Sequence, residues 1–397
     1  MHLSPSGPRP RVLHVSQPVD GGVARVVTDL VRAQLAVGAE VTVACPESGG
    51  LAAAAEVLGA GVRHWRAGRS PGPGLAREVR SLRQAVREVR PDVVHAHSAK
   101  AGLAVRLAVR GRVPTVFQPH AWSFEAVGGT TELLARNWER LGARWASRVI
   151  CVSEAERRTG QRSGVRARWS VIPNGIDLER FHPASVDAVR AGIPLLEGVD
   201  AAAPLVVCVG RLCRQKAQDV LLEAWGEVTR RVPGARLVLV GDGPDARTLR
   251  AGAPPSVLFA GAVADAVPWY QAADLVVLPS RWEGMALAPL EAMACGRPVV
   301  LTEVDGAHES LPPGQGPRCL VPPERPQALA GAVAELLLDP LLRESLGHQA
   351  RRYVTTTHDV RRTAAAVAGV YRELIGTWPT GRGTGVDHTE CRESIHT

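Results

Sequence analysis

Short apolar segments rich in Val, Leu and Ile alternate with longer amphipathic stretches along most of the chain. In the first half, the strand-like segments cover 11–16, 40–45, 92–96, 114–118 and 148–153. In the second half, they cover 205–210, 236–240, 256–260, 274–278 and 298–302. Helical patterns such as 74–90 and 130–147 lie between them. Buried strands separated by helices form parallel sheets covered on both faces, so the pattern predicts an α/β protein of two doubly wound domains that face a cleft.

The domain boundary is expected near residue 184, where a connector rich in Pro, Gly and Ala precedes the next strand pattern. The first domain would then cover 1–184 and the second 185–359. A helical stretch at 360–376 is expected to pack back on the first domain. The polar, Gly-rich tail at 377–397 is expected to be disordered.

The composition favours a globular protein of the cytoplasm. Of the 397 residues 45% are hydrophobic, yet no apolar run reaches the roughly 18 residues that a membrane-spanning helix needs. The first residues, MHLSPSGPRPR, contain no apolar signal core. The seven cysteines form no C-x-x-C pair, which is typical of free thiols in a reducing compartment.

The net charge of +8 belongs to the first half of the chain. Residues 1–182 hold 26 Lys and Arg against 15 Asp and Glu, whereas the remainder holds 21 against 24. With only three Tyr and four Phe, the aromatics typical of a nucleic-acid binder are missing, and we expect no nucleic-acid partner. Arginines repeated along 77–90 and 136–148 favour peripheral attachment to the inner face of an anionic membrane. Ordinary amphipathic packing of these helices is the alternative.

Two turns after predicted strands carry residues suited to an anion. Gly21 and Gly22 precede a helix, where glycines let backbone N–H groups approach an anion. Arg211 offers phosphate oxygens a planar fork, and Lys216 offers a mobile point charge. Because Lys100 is the only other lysine, we favour diphosphate binding over a solvated charge pair at a helix start. Neither half contains G-x-G-x-x-G, which counts against a dinucleotide cofactor.

The segment PSRWEGMALAPLEAMACGRPVV, at 279–300, carries the most specific pattern. Glu283 is predicted in a loop, and Glu291 about one turn into a helix. A helix N-terminus whose free N–H groups can hold a phosphate is predicted at Gly284, Met285, Ala286 and Leu287. Two carboxylates for hydroxyl groups and bare amides for phosphate fit a nucleotide-sugar; two surface glutamates are the alternative.

In this order, motifs along nearly the whole chain resemble those of the GT-B glycosyltransferases of family 4, a large retaining group. They are GG at 21–22, PDVVHAHSAKAG at 91–102, PHAW at 119–122, VSEAE at 152–156, VIPNGID at 171–177, VGRLCRQK at 209–216, LVGDGP at 239–244 and the E-x7-E segment at 283–291. The resemblance implies two Rossmann-like domains and sugar transfer, with retention, from a UDP- or GDP-linked donor. The donor is a substrate, and no cofactor is implied.

The resemblance also implies the donor contacts. Arg211 and Lys216 would bind the diphosphate together with the helix N-terminus at 284–287. Glu291 would bind the ribose hydroxyls. The base would be held at the positions of Ala262 and Val263.

The implied catalytic residues are Glu283 and His120. Glu283 would hold a hydroxyl of the transferred sugar, and His120 would lie beside the reacting carbon. The residues implied on the acceptor side are Gly21, Gly22, Ser98 and Lys100. Family members often have Gly-Gly after the strand at 298–302, whereas this chain has Asp305-Gly306-Ala307, which leaves the contact there open.

No metal is expected. The chain contains no Asp-x-Asp, so the leaving-group charge would be neutralised by Arg211, Lys216 and the helix N-terminus. No carboxylate nucleophile is evident near His120, which favours front-face attack through an oxocarbenium-like state. His95 and His97 are not expected to bind a metal because no carboxylate ligand pattern accompanies them and because we expect their side chains on opposite faces of a strand.

Several alternatives stay open for the acceptor and the reaction. The sequence HSAKAG at 97–102 resembles a loop of family members that build polyprenyl-linked surface polysaccharides, which favours a lipid-linked or cell-surface polysaccharide precursor. A soluble natural product such as an aminocyclitol is the alternative acceptor. An epimerase, a phosphorylase and a non-catalytic nucleotide-sugar binding protein are the alternative functions. The phosphorylase would need a lysine-bound cofactor, for which Lys100 and Lys216 are poorly suited.

Overall fold

The computed structural model describes residues 9–379, and its first half contains a sheet of seven parallel strands. The strands are β1 Arg11–Ser16, β2 Glu40–Cys45, β3 Gly61–His64, β4 Val93–His97, β5 Thr115–Gln118, β6 Arg148–Cys151 and β7 Trp169–Val171. Their order in the sheet is β3-β2-β1-β4-β5-β6-β7. The first-half pattern predicted five of these strands; the edge strands β3 and β7 were missed.

Helices cover both faces of this sheet. They are α1 Gly21–Ala36, α2 Gly50–Val57, α3 Leu75–Val89, α4 Ser98–Val109, α5 Gly129–Gly142 and α6 Glu154–Arg162, with 3-10 turns at Ser123–Glu125 and Ala143–Trp145. Strand residues such as Val12, Val94 and Ile150 are fully buried, because a parallel sheet between two helical layers exposes neither face.

The second half repeats the architecture with six parallel strands. They are β8 Leu205–Val209, β9 Arg236–Val240, β10 Val257–Gly261, β11 Leu275–Leu278, β12 Val299–Thr302 and β13 Leu320–Val321. Their order is β10-β9-β8-β11-β12-β13. The helices are α7 Val186–Ala191, α8 Gln218–Arg231, α9 Ala246–Gly252, α10 Val267–Ala272, α11 Leu287–Ala294, α12 Ala307–Ser310, α13 Gly316–Cys319, α14 Pro326–Leu338, α15 Pro340–Thr357 and α16 Val360–Ile375, with 3-10 turns at Pro194–Leu196 and Arg214–Lys216.

The connector between the two sheets is docked on the second one. Arg190 of α7 donates to the carboxylate of Asp274 at 2.8 Å and to the carbonyl of Ala272 at 2.9 Å. The connector therefore belongs structurally with the second domain.

Helix α16 returns to the first domain. It packs against α1, and the hydroxyl of Tyr371 lies 2.6 Å from Nδ1 of His95 on β4. The predicted disordered tail starts too early, because Trp378 is 9% exposed and packs edge-on against the Tyr371 ring. The rest of that predicted tail, from residue 380 onward, lies outside the described residues.

Across residues 9–379, no helix combines the length and the apolar character that crossing a membrane requires.

Candidate functional site

The strand order reverses at one point in each sheet, between β1 and β4 in the first and between β8 and β11 in the second. Ligands of doubly wound sheets bind at the carboxyl ends of the strands beside such a reversal. The loops that follow these strands carry most of the predicted site residues. The loops of the two domains are in contact near Gly22 and Leu287: a Cβ atom built on Gly22 would lie 3.7 Å from the side chain of Leu287.

Glu283 and Lys216 form an ion pair in the loops that follow the central strands β11 and β8 of the second sheet. The Lys216 Nζ atom lies 2.5 Å from Oε1 of Glu283, and the Ser280 hydroxyl donates to the same oxygen at 2.8 Å. Glu283 is 7% exposed. Lys216, predicted to bind the diphosphate, thus contacts Glu283, predicted to bind the transferred sugar. This contact fixes both side chains and leaves Oε2 of Glu283 to accept from a further donor.

Glu291 is held by two residues that sequence reasoning missed. Arg25 of α1 forms an ion pair with Oε1 of Glu291 across the domain boundary, and the Tyr270 hydroxyl donates to Oε2 at 2.6 Å. Each carboxylate oxygen has a second lone pair. Glu291 can therefore still accept hydrogen bonds from a diol, at a position that both domains define.

The loop before α11 fits closely against the first domain. The hydroxyl of Ser153 donates to the carbonyl of Gly284 at 2.8 Å, and the Asn174 amide donates to the carbonyl of Met285 at 2.7 Å. A Cβ atom on Gly284 would lie 2.8 Å from Oε1 of Glu156, so only glycine fits there. Gly306, at φ +75°, would clash in the same way with the carbonyl of Gly284; the Asp305-Gly306-Ala307 departure thus keeps a glycine where the backbone requires one.

His120 follows β5 in a strained conformation. Its φ is 58° and that of Ala121 is 130°, a region in which side chains other than glycine are unfavourable and which is concentrated at functional sites. Burial lowers the pKa of His120 to about 3, so the imidazole is neutral near pH 7. It can act as a hydrogen-bonding group but not as a cation.

The expectation that His95 and His97 point to opposite faces is wrong. Alternate residues of a strand share a face, and the two imidazole rings lie 4.0 Å apart. His14 of β1 joins them, and nitrogen atoms of the three side chains lie within 4.8 Å of one another. One of the two reasons for expecting no metal at His95 and His97, their placement on opposite faces, is therefore wrong.

Two carboxyl groups near His120 carry raised pKa values. Burial raises the pKa of Glu156 to about 8. The backbone hydrogen bond from Val152 lowers this pKa, and the charge of nearby Glu125 raises it by a smaller amount. Burial raises the pKa of Glu125 to about 7, with Asp305 adding to the effect. A carboxyl group with a pKa near 8 is mostly protonated at pH 7, so Glu156 is a poor nucleophile.

The remaining predicted residues lie in different surroundings. Lys100 is buried, with its ammonium 2.6 Å from a Glu78 carboxylate oxygen and 3.1 Å from the Ser70 carbonyl, so the structure gives it an internal ion pair instead of the predicted acceptor contact. Ser98 begins α4 with φ 76°, and its buried hydroxyl has no hydrogen-bond partner within residues 9–379.

The donor-side residues other than the two glutamates lie at strand ends, as expected. Arg211 follows β8 and is half-buried. Ala262 and Val263 follow the edge strand β10, with Ala262 exposed and Val263 half-buried. Both positions are open enough to receive a ligand.

Comparison with solved structures places this architecture among the GT-B glycosyltransferases. A structure of Anabaena Alr3699/HepE in complex with UDP-glucose has 25% sequence identity with this chain, covers 91% of it and 99% of its own length, and has a TM-score of 0.78.

The chain belongs to the group 1, family 4 glycosyltransferases. The profile described as Glycosyltransferase Family 4 matches residues 20–180, and that described as Glycosyl transferases group 1 matches residues 203–339. An alpha-D-kanosaminyltransferase of Streptomyces kanamyceticus is 30% identical over 304 residues, which cover 71% of this chain and 77% of that relative. A lipopolysaccharide core biosynthesis mannosyltransferase of Rhizobium leguminosarum bv. viciae is 34% identical over 55% of this chain and 64% of its own length, less than two thirds.

Proposed function

We propose that this protein transfers a sugar from a UDP- or GDP-linked donor to an acceptor in the interdomain cleft, with retention at the anomeric carbon. The observation that carries the proposal is that Arg211, Lys216, Glu283 and Glu291 all follow β8 or β11, the two strands beside the reversal point of the second sheet, with Lys216 and Glu283 in contact. This set combines positive charge for a diphosphate with carboxylates for hydroxyl groups. Relatives named as mannosyl- and kanosaminyltransferases support the same reaction class.

In the proposed reaction, the bond between the anomeric carbon and the diphosphate breaks, and the acceptor oxygen takes its place. Arg211, Lys216 and the N-terminus of α11 stabilise the charge that develops on the leaving diphosphate. Retention by a covalent intermediate would need an ionised carboxylate at the reacting carbon. The neutral state of Glu156 favours attack from the leaving-group face instead, with the departing phosphate oxygen taking the acceptor proton.

Product analysis tests this proposal. The protein is incubated with a panel of UDP- and GDP-sugars and candidate acceptors, and both nucleoside diphosphate release and the anomeric configuration of the product are read by NMR. We expect one donor to be consumed. If its sugar is α-linked to the diphosphate, the sugar in the product should also be α-linked. A product of inverted configuration, or a donor isomerised without transfer as by an epimerase, would contradict it.

We expect activity to persist in excess EDTA. Nothing in the proposed donor site needs a divalent cation, because two basic side chains and a helix terminus supply the positive charge. The rate of nucleoside diphosphate release is measured with EDTA and again after Mg²⁺ or Mn²⁺ is restored. Activity that disappears with the chelator and returns with the metal would overturn the metal-independent mechanism.

For the acceptor we propose a lipid-linked saccharide reached from the surface of an anionic membrane. Helix α5 exposes Leu133 and Leu134 at 58% and 69%, with Leu141 at 42% on the same helix. The arginine repeat contributes less than its spacing suggested, because Arg140 donates to the Ser163 carbonyl at 2.7 Å and Arg148 pairs with Glu373 at 2.6 Å. The exposed leucines of α5 make the stronger interfacial surface.

Vesicle co-sedimentation checks this acceptor proposal. We expect binding to anionic but not to neutral vesicles, weakened by salt. Replacing Leu133 and Leu134 together by serine should lower the binding constant about a hundredfold or more, since each leucine inserted in lipid contributes roughly 1.5 to 3 kcal/mol. The matched control is Leu341→Ser, which alters a leucine 80% exposed on the other domain. Absence of binding at low salt would favour a soluble acceptor such as an aminocyclitol.

A further inference from the structure

Three histidines form a hydrogen-bonded chain beneath the carboxyl edge of the first sheet. Nδ1 of His14 lies 2.9 Å from Nε2 of His97, and Nδ1 of His97 lies 3.2 Å from Nε2 of His120. Gln34 of α1 ends the chain, with its Oε1 atom 2.8 Å from Nε2 of His14. His14, His97 and Gln34 are buried, so water does not compete for the two contacts of His14; His120 is half-buried.

The direction of every hydrogen bond in this chain follows from its end. Burial lowers the pKa of His14 to about 4 and that of His97 well below its usual value. Each ring is therefore neutral near pH 7 and carries one N–H group. An amide oxygen only accepts, so His14 must carry its proton on Nε2, His97 must then donate from its Nε2, and His120 must donate from its own Nε2.

The orientation of the Gln34 amide sets the direction of this chain. The structure places Oε1 of Gln34, and not its NH₂ group, at Nε2 of His14. An amide oxygen accepts and an amide NH₂ group donates, so the reversed amide would reverse every hydrogen bond and put the proton of His120 on Nδ1.

We propose that Gln34 is a positioning residue that fixes the tautomer of His120 through His14 and His97, leaving Nδ1 of His120 as an unprotonated hydrogen-bond acceptor. The inference rests on the proposed function for its consequence. A neutral His120 with a bare Nδ1 accepts a hydrogen bond from a sugar hydroxyl and gives none to a phosphate oxygen. His120 therefore selects a hydroxyl group of the substrate at this position.

A bound metal explains the cluster less well than protons do. Two nitrogen ligands of a tetrahedral zinc at about 2.1 Å lie about 3.4 Å apart, whereas the facing nitrogens of His14 and His97 are 2.9 Å apart. That separation is a hydrogen-bond distance. Stoichiometric zinc in the protein purified without added metal would overturn the tautomer proposal.

The direct test is NMR of the full chain carrying ¹⁵N in its histidine rings, with His14, His97 and His120 assigned by single substitutions. Two-bond nitrogen–proton correlations distinguish the two tautomers of each neutral ring. A single Nε2–H tautomer at all three positions near pH 7 is expected. An Nδ1–H tautomer, or a mixture, at His120 in the wild-type protein would overturn the proposal whether or not any variant folds.

Two substitutions of Gln34 separate its orienting role from simple packing. Gln34→Leu removes the acceptor, so His120 should become a tautomer mixture and KM for the sugar substrate should rise about threefold to tenfold, the loss of one neutral hydrogen bond. Gln34→Glu keeps an acceptor and should restore the single tautomer. Gln161→Leu, on the exposed side of α6, is the control and should change neither. A correct tautomer pattern in a protein without transferase activity would refute the proposed function and leave the positioning role standing.

Discussion

Replacing Lys216 by alanine is expected to lower kcat/KM about 10² to 10³-fold while the fold is retained. The substitution removes a positive charge expected at the leaving diphosphate, and the loss of one such fixed contact has an effect of this size. It also leaves Glu283, 7% exposed, without its cationic partner. The measurement is the steady-state rate of nucleoside diphosphate release, with circular dichroism to verify folding.

The matched control for this substitution is Arg214→Ala. Arg214 lies in the same 3-10 turn as Lys216, and its exposed guanidinium stacks over the Trp282 ring at 5.6 Å. The Arg214→Ala substitution also removes one positive charge from this turn, and it should change kcat/KM little. Equal losses in both variants would indicate a general electrostatic effect, and a folded Lys216→Ala protein with wild-type kcat/KM would refute the donor-site assignment.

Conformational stability is expected to peak near pH 6.5. Burial lowers the pKa of His14 to about 4 and of His120 to about 3, and those of His95 and His97 well below 6.5. Below pH 6.5 the unfolded chain therefore binds more protons at histidine than the native state, so stability is lost as the pH falls. His14 alone accounts for about 3 kcal/mol between its unfolded and folded pKa values.

Above pH 6.5 the carboxyl groups of Glu125 and Glu156 make the free energy of unfolding fall as the pH rises. Their native pKa values of about 7 and 8 lie above the ordinary 4.5, so the native state keeps protons that the unfolded chain has lost. Their stabilising contribution is complete below pH 4.5 and is lost as the pH rises through the native values. Between 4.5 and 6.5 the four histidines outnumber these two groups, which places the maximum near pH 6.5.

Denaturant unfolding at about pH 5, 6.5 and 8 measures this profile. Glu156→Gln, which copies the protonated carboxyl group, should raise stability at pH 8 and flatten the high-pH decline. Glu56→Gln, at an exposed position of α2, is the control and should not. A stability that is flat or still rising between pH 6.5 and 8 would contradict the assignment of a buried neutral carboxyl group to Glu156.

The sequence predicted the sheets well where strands are buried on both faces. Central strands such as β8 and β11 consist of continuous apolar residues, and their segments were recognised. The edge strands β3 and β7 were missed because they lack that signal: β3 is GVRH, mostly exposed, and β7 is WSV, half-buried throughout. Their pairing depends on backbone groups of a neighbouring strand, which a local pattern does not contain. The edge strand β10, VLFAG, carries more apolar residues and was recognised.

Sequence patterns indicated candidate site residues where a motif is local and missed contacts between residues that are distant in sequence. Glu283 and Glu291 lie in one segment, and their pattern gave both. Arg25 reaches Glu291 across 266 positions of the sequence, and no residue spacing could indicate that contact. The scarcity of lysine drew attention to Lys100 as well as to Lys216, although Lys100 serves an internal ion pair.

Titration calorimetry with nucleotide-sugars is the most direct measurement of the proposed donor site, because it needs no knowledge of the acceptor. We expect at least one UDP- or GDP-sugar to bind with one site per chain in the presence of EDTA, and we expect Lys216→Ala to weaken this binding while Arg214→Ala does not. If no UDP- or GDP-sugar binds, or if Lys216→Ala binds the donor as tightly as the wild type, the donor site proposed between α11 and the end of β8 is contradicted.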